Sequence, residues 1–294
     1  MALGEIDNGG TGERRQEEIS AGPTGATLTE MVAAGPATVV NYFASPATAV
    51  RYAASRPSGH ALVLELLQSV LARNLPVARA LDVGCGTGHS TVALLPYAQA
   101  VVGIDASSEM LAQAPRDPRI QFRKGYAEAL PCRGEDFDLV TASSAYHWFD
   151  HEQFLGEAAR VLRAPGWLVL YKAGSTGRPV GHPDFDHWRR DVLKARYPKV
   201  ARNNEPLTAE RAAAFGFHEL KAETIFHTQR HTLDNYVENL MTHSSVARVV
   251  DGGREPVAVA RAWLRAELAR FFPTGETEFT HESRIHVLQR NPRV

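Results

Sequence analysis

Between residues 60 and 172 short apolar runs alternate with longer amphipathic stretches. That is the pattern of β-strands joined by crossover helices, and it predicts an α/β fold with a mostly parallel sheet. The apolar runs fall at 80–83, 101–105, 120–124, 137–141 and 168–171. A strongly apolar helix is expected at 61–71, packed on the sheet. A second crossover helix is expected at 107–114, with Ser107 as its cap and Pro115 and Pro118 ending it. A third spans 152–162. Beyond residue 172 the pattern changes. Residues 173–206 scatter Gly, Pro, His and Arg; 217–228 and 277–289 alternate as strands; 232–250 and 255–272 read as helices.

Composition narrows the class. The chain has 294 residues, 44% of them hydrophobic, which supplies a full core. One domain is expected over 29–294, with its core at 60–172, an insertion at 173–212 and a C-terminal portion at 213–294. Residues 1–28 are rich in Gly, Glu, Thr and Ser, have little to bury and read as a flexible segment. Thr29 could cap a short helix at 30–34. The net charge of −1 provides no basic field for nucleic acid. The two cysteines, Cys85 and Cys132, form no metal-type pair, and Asp138, Asp150 and His151 do not space three ligands. No metal is expected. No apolar run approaches membrane-spanning length, and the first residues lack a secretion signal. These features predict a cytoplasmic protein, monomer or homodimer, with a small-molecule partner.

The stretch 80–90 carries the chemistry. An apolar run enters it, Gly84, Gly86 and Gly88 follow at alternate positions, and a helical pattern starts at Thr87 or His89. Glycines let backbone approach a ligand closely and take positive φ at little cost. A dinucleotide fingerprint would place Gly or Ala where His89 stands, which argues against a nicotinamide oxidoreductase. Asp105 closes the next apolar run roughly 20 residues on, at the carboxyl end of a second strand. A carboxylate there suits the vicinal diol of a ribose.

The string 81–88, Leu-Asp-Val-Gly-Cys-Gly-Thr-Gly, closely resembles motif I of the class I S-adenosylmethionine (SAM)-dependent methyltransferases. The resemblance implies a Rossmann-like seven-stranded sheet with helices on both faces and a helical or lid insertion over the substrate. Its last strand pairs antiparallel with strand six at the sheet edge. It also implies SAM as cofactor and S-adenosylhomocysteine (SAH) as product. Around motif I the implied cofactor residues are Asp82, Gly84, Cys85, Gly86, Thr87 and Gly88. Further along they are Asp105 for the ribose, Ala106, Met110 and Ser143. Residues 125–131 resemble the family's Gly-Asp-Ala-Glu-x-Leu-Pro signature with Tyr126 in place of Asp. Ala127 is then expected to meet adenine through its backbone and Tyr126 by stacking. Glu128 either touches adenine or starts a helix. Residues 41–57 resemble the segment before the core in small-molecule methyltransferases of the ubiquinone-biosynthesis and trans-aconitate type. Tyr52 and Arg56 match the pair that folds over the methionine end, the rigid guanidinium fork suiting its carboxylate. A surface Arg on an amphipathic helix is the alternative.

The exit of the fourth strand, Tyr146-His147-Trp148-Phe149-Asp150, resembles a string of the same subgroup and belongs beside the transferable methyl. His147 is the candidate base and Tyr146 a candidate for orienting the acceptor; packing or cofactor contact is the alternative for His147. Trp148, His243 and Ser244 are candidates for the acceptor pocket. The expected activity is SAM-dependent methylation of a small molecule, at oxygen, with a carboxylic acid, phenol or natural-product intermediate as acceptor. A SAM-binding protein without methyl transfer (cyclase, partner subunit or regulator) would carry the same motifs. A nucleic-acid methyltransferase would need a basic patch and an Asn/Asp-Pro-Pro-Tyr tetrad, and 143–146 is not one.

Overall fold

The computed structural model describes residues 42–56, 59–174 and 177–292. The segment 1–28 and the helix at 30–34 lie outside the described residues. Five parallel strands form the core sheet: β1 (Val77–Val83), β2 (Ala98–Asp105), β3 (Ile120–Lys124), β4 (Phe137–Ser143) and β5 (Leu162–Lys172). Their order is β3-β2-β1-β4-β5. The final strand, β8 (Glu276–Arg290), runs antiparallel beside β5 and carries β7 (Phe217–Thr232) on its other side. The last strand therefore sits inside the sheet, and β7 is the edge. A two-residue strand, β6 (Arg178–Pro179), pairs with β8 as well, making eight strands rather than seven among the described residues.

The alternation within each strand separates two helical layers, because successive side chains point to opposite faces. Ala80, Val101, Leu139, Val169 and Val287 face α2 (His60–Leu71). Leu81, Val102, Val140, Leu168 and Leu288 face α5 (His151–Val161). Two other crossover helices are shorter than their patterns predict: α3 (His89–Ala93) and α4 (Ser108–Leu111). Ser107 caps α4 as expected, its hydroxyl accepting the Met110 N–H at 3.2 Å. A further helix, α1 (Pro46–Ser55), precedes the core.

A second apolar cluster lies above the carboxyl ends of the strands. It joins α6 (Phe185–His187), a π-helical stretch at Trp188–Leu193 and Tyr197, which follows α7 (Lys194–Arg196), to α9 (Leu233–Met241), α10 (Ser244–Asp251) and α11 (Val257–Leu268). Between them α8 (Ala209–Ala214) packs on the α5 face. The helix expected at 232–250 is two helices. The Thr242 hydroxyl bonds the Asn239 carbonyl at 2.7 Å, and His243 turns extended (φ −69°, ψ 135°) before α10 begins.

His60 joins α2 to β5. Its Nδ1 lies 3.1 Å from the Tyr171 hydroxyl. Burial, then the charges of His89 and Arg56, lower its pKa from 6.5 to about 4. The folded protein thus excludes a proton that the unfolded chain takes up. This contribution is complete above pH 6.5 and is lost as pH falls toward 4. Relative to His60→Gln, the wild type should lose about 2 kcal/mol of unfolding free energy between pH 7 and pH 5 in denaturant titrations.

Candidate functional site

A cavity of about 490 Å3 lies between the carboxyl ends of the sheet and the helical cluster. Its lower half is built by the glycine turn. Gly84 (φ 70°) and Cys85 both donate their N–H to the Ile104 carbonyl, at 2.8 and 3.1 Å. Gly86 (φ 55°) donates to Asp105 Oδ2 at 2.8 Å, and Ser107 N–H donates to Asp105 Oδ1 at 2.8 Å. The Asp105 carboxylate is therefore aimed from the end of β2 by backbone on both sides. Burial raises its pKa, while the N–H groups of Ser107, Gly86 and Ala106 act the other way. A Cβ on Gly84 would meet Ala145 Cβ at 2.5 Å and Phe149 Cζ at 3.0 Å, so only glycine lets the 143–149 loop close on the turn.

Beneath the turn Asp82 is fully buried. Its Oδ2 accepts from Ser90 and Thr91 (2.6 and 2.7 Å) and its Oδ1 from Thr141 (2.9 Å). Burial pushes its pKa up to about 6 against these hydrogen bonds. Asp82 shapes the turn and does not line the cavity. Cys85, Thr87 and Gly88 do not line it either. Cys85 is buried toward Gly103, Thr87 is buried, and Gly88 (φ 82°) caps α3 with Phe122 packed against it. The motif thus divides into two glycines and an acid that face the cavity and four residues that hold them.

Ala106, Met110, Tyr126, Ala127 and Ser143 also line the lower half. Glu128 lines it but starts no helix. It lies in a turn closed by a Tyr126–Ala129 bridge, and its Oε1 accepts the Asp150 N–H at 2.9 Å, where Asp150 caps α5. α1 leans over this half and is tied to α10 by Thr48 Oγ1 and Arg51 on Asp251. Tyr52 and Arg56 line the cavity from that side. The Arg56 guanidinium lies 4.9 Å from the Tyr52 ring centroid and donates to Thr242 Oγ1 at 3.3 Å.

The upper half begins at the 3-10 turn Tyr146–Trp148. Ser144, just before it, holds a positive φ of 52°, a strained state characteristic of functional loops. His147 and Trp148 line the cavity, Trp148 between the rings of Tyr42 and Phe43 and under Arg202 at 4.7 Å. Tyr146 does not line it. Its ring stacks on His151 at 3.8 Å and packs against Phe154, and these ring contacts draw it into the α5 layer. His243, Ser244 and Ser245 come from the α9–α10 junction. Burial, then Arg202, Lys172 and Arg56, lower the His147 pKa to about 3. Burial, then Arg56, Arg202 and Lys172, lower that of His243 to about 3 as well.

The same three cations thus act on both histidines. Arg189, Lys194 and Lys199 add to them in the wall, against two carboxylates, Asp105 and Glu128, both in the lower half. Lys172, Arg189 and Arg202 went unnoticed in the sequence because no motif contains them; they meet only when the insertion folds over β5. Among the described residues no group of three His, Cys, Asp or Glu side chains could hold a metal ion, and no helix is long and apolar enough to cross a membrane.

Comparison with known proteins bears on this geometry. Residues 81–170 match the methyltransferase domain family, and residues 37–124 match the protein-L-isoaspartate(D-aspartate) O-methyltransferase family. The uncharacterized methyltransferase YcgJ of Bacillus subtilis is 32% identical over 154 residues, 50% of this chain and 58% of that protein. A probable S-adenosylmethionine-dependent methyltransferase of Saccharomyces cerevisiae, CRG1, is 35% identical over 98 residues, 31% of this chain and 34% of that protein. The chain thus spans less than two thirds of these relatives' length. A solved structure of a type II methyltransferase candidate from Anaeromyxobacter dehalogenans superposes with a TM-score of 0.60 at 25% identity, over 81% of this chain and 98% of that one. Residues 81–170 thus carry a methyltransferase domain, and the strand order around it and these relatives are in keeping with the S-adenosylmethionine-dependent methyltransferases.

Proposed function

We propose that the protein transfers the methyl group of SAM to an oxygen of a small-molecule acceptor. One observation carries this reading. A single cavity joins a nucleoside-type half, made of the Gly84 and Gly86 backbone and the Asp105 carboxylate, to a separate upper half across the His147 loop. The residues present fit SAM. Asp105 keeps lone pairs beyond those its backbone donors use, enough for a ribose diol. Ala127 and Tyr126 line the same half and would flank the adenine, and Arg56 has guanidinium donors to spare for the amino-acid carboxylate. Bound SAM supplies a methyl already activated by its sulfonium. The protein's part is to hold the acceptor oxygen in line with it, which can contribute about 7–11 kcal/mol.

In this reading His147 does not collect a proton. With its pKa held down at about 3 it is a poor base and stays neutral at physiological pH. It positions the acceptor by a hydrogen bond, and the acceptor oxygen arrives ionised. His147→Asn should therefore lower kcat roughly tenfold, short of the 10²–10⁴-fold that a lost general base costs. The kcat of the wild type should stay flat from pH 6 to 8. A kcat rising with a midpoint near 6.5 would restore the base role. Transfer of a radiolabelled methyl from SAM to a panel of small acids and phenols tests the activity itself. SAH binding without transfer to any acceptor would favour the non-transferring alternative.

A further inference from the structure

We propose that the acceptor is an organic acid, and that its carboxylate docks between Arg202, Lys172 and the first turn of α10. This rests on the methyl-transfer reading of the same cavity and specifies what enters it.

The α9–α10 junction builds the subsite. Because His243 turns extended, α10 starts afresh at Ser244 and presents its N-terminal end to the cavity, with Thr242, His243, Ser244 and Ser245 in the wall. The first N–H groups of a helix have no intrahelical acceptor and carry the positive end of its dipole. Arg202 is fixed against that turn. Its Nη2 donates to Ser244 Oγ at 2.8 Å, and its guanidinium lies 4.7 Å from the Trp148 ring centroid. That bond uses one of five N–H donors. Among the described residues no carboxylate lies within ion-pair distance of Arg202 or Lys172.

A second, independent observation points to a ligand in the same wall. The Tyr236 hydroxyl and His243 Nε2 are both buried without a hydrogen-bond partner, and the Tyr236 side chain is fully buried. Buried polar atoms left unpaired are costly, so such groups are expected to meet a ligand atom. A carboxylate offers acceptor lone pairs to both. It also answers the charge. Burial, then Arg202 and Arg284, lower the Lys172 pKa, with Glu282 acting the other way, and burial followed by the same cations lowers that of both histidines. A sulfonium beside them would add a further positive charge. An anion relieves this repulsion, whereas a neutral acceptor leaves it standing. Phe185, Trp188, Leu193 and Leu240 complete the wall, so the acid carries an apolar or aromatic body.

The test is a set of calorimetric titrations on the full chain saturated with SAH, using phenylacetate against phenylacetamide and hexanoate against hexanamide. Each acid should bind at least tenfold tighter than its amide, about 1.4 kcal/mol. Arg202→Gln and Lys172→Met should each bring acid and amide within roughly threefold of one another while SAH affinity holds, and Arg202→Lys should restore part of the preference. Equal binding of acid and amide, or binding of neither, with SAH bound normally, overturns the anion subsite. Failure of SAH to bind at all overturns the methyl-transfer reading beneath it.

Discussion

Asp105→Ala should weaken SAH binding about 100-fold, near 2.7 kcal/mol, while the protein stays folded. Two losses combine. The first is the carboxylate proposed to hold the ribose, a charge-assisted contact that contributes about 1.5–3 kcal/mol. The second is the brace on the turn, because Gly86 N–H and Ser107 N–H lose the acceptor that aims them. Asp105→Asn separates the two. It keeps one acceptor oxygen and the side chain's shape, so its affinity should fall between wild type and Asp105→Ala. Calorimetry with SAH reads the affinity, and a thermal melt of each variant checks the fold. A tenfold or smaller loss in Asp105→Ala would mean that the ribose is held elsewhere.

The largest expected loss of stability lies directly beneath. Asp82→Ala should cost about 3 kcal/mol or more of unfolding free energy, since the buried hydroxyls of Ser90, Thr91 and Thr141 lose their common acceptor. Asp82→Asn should cost less, because an amide oxygen still accepts and the hydroxyls can turn to meet the amide N–H. The pH dependence has a definite sign. Burial raises the folded-state pKa of Asp82 from 3.8 to about 6, so its charge disfavours the folded state above that value. The wild type should therefore gain on Asp82→Asn as pH falls from 7 toward 5. Denaturant titrations at both pH values measure this, and an advantage that instead shrinks on acidification would contradict the assignment. Both effects meet at one turn, which Asp82 holds from beneath and Asp105 braces from the end of β2.

The core was readable because a strand buried on both faces repeats apolar residues in a short run that few other elements imitate. β3 falls where its run predicts, and β1, β2 and β4 differ only at their ends. β5 starts earlier, at Leu162, because Leu162 pairs with Phe137 of β4 before an irregularity that ends where regular pairing resumes at Trp167. The short α3 and α4 leave the cofactor half to backbone turns more than to helix ends. The break between α9 and α10 was hidden, since Thr242 and His243 interrupt no apolar period; the break is made by a hydroxyl-to-carbonyl bond. That break places His243 and Ser244 in the cavity wall.

Within the site, positions set by local turn chemistry could be read, as could Tyr52, Arg56, His243 and Ser244, but Lys172, Arg189 and Arg202 could not. Gly84, Gly86 and Asp105 are adjacent because two neighbouring parallel strands end side by side. Arg202, Lys172 and Tyr236 converge from three separated segments, and only the folded insertion brings them together. Tyr146 shows the reverse error. Proximity to His147 in sequence suggested the cavity, but stacking on His151 buries its ring in the other layer.

The most direct measurement is a calorimetric titration of the full chain with SAM and with SAH, run beside one with NAD. Saturable binding of SAM and SAH at one site per chain, with Kd on the order of micromolar and no heat from NAD, is the expected result. No binding of either SAM or SAH would contradict the cofactor assignment and leave the glycine turn a structural feature of the sheet.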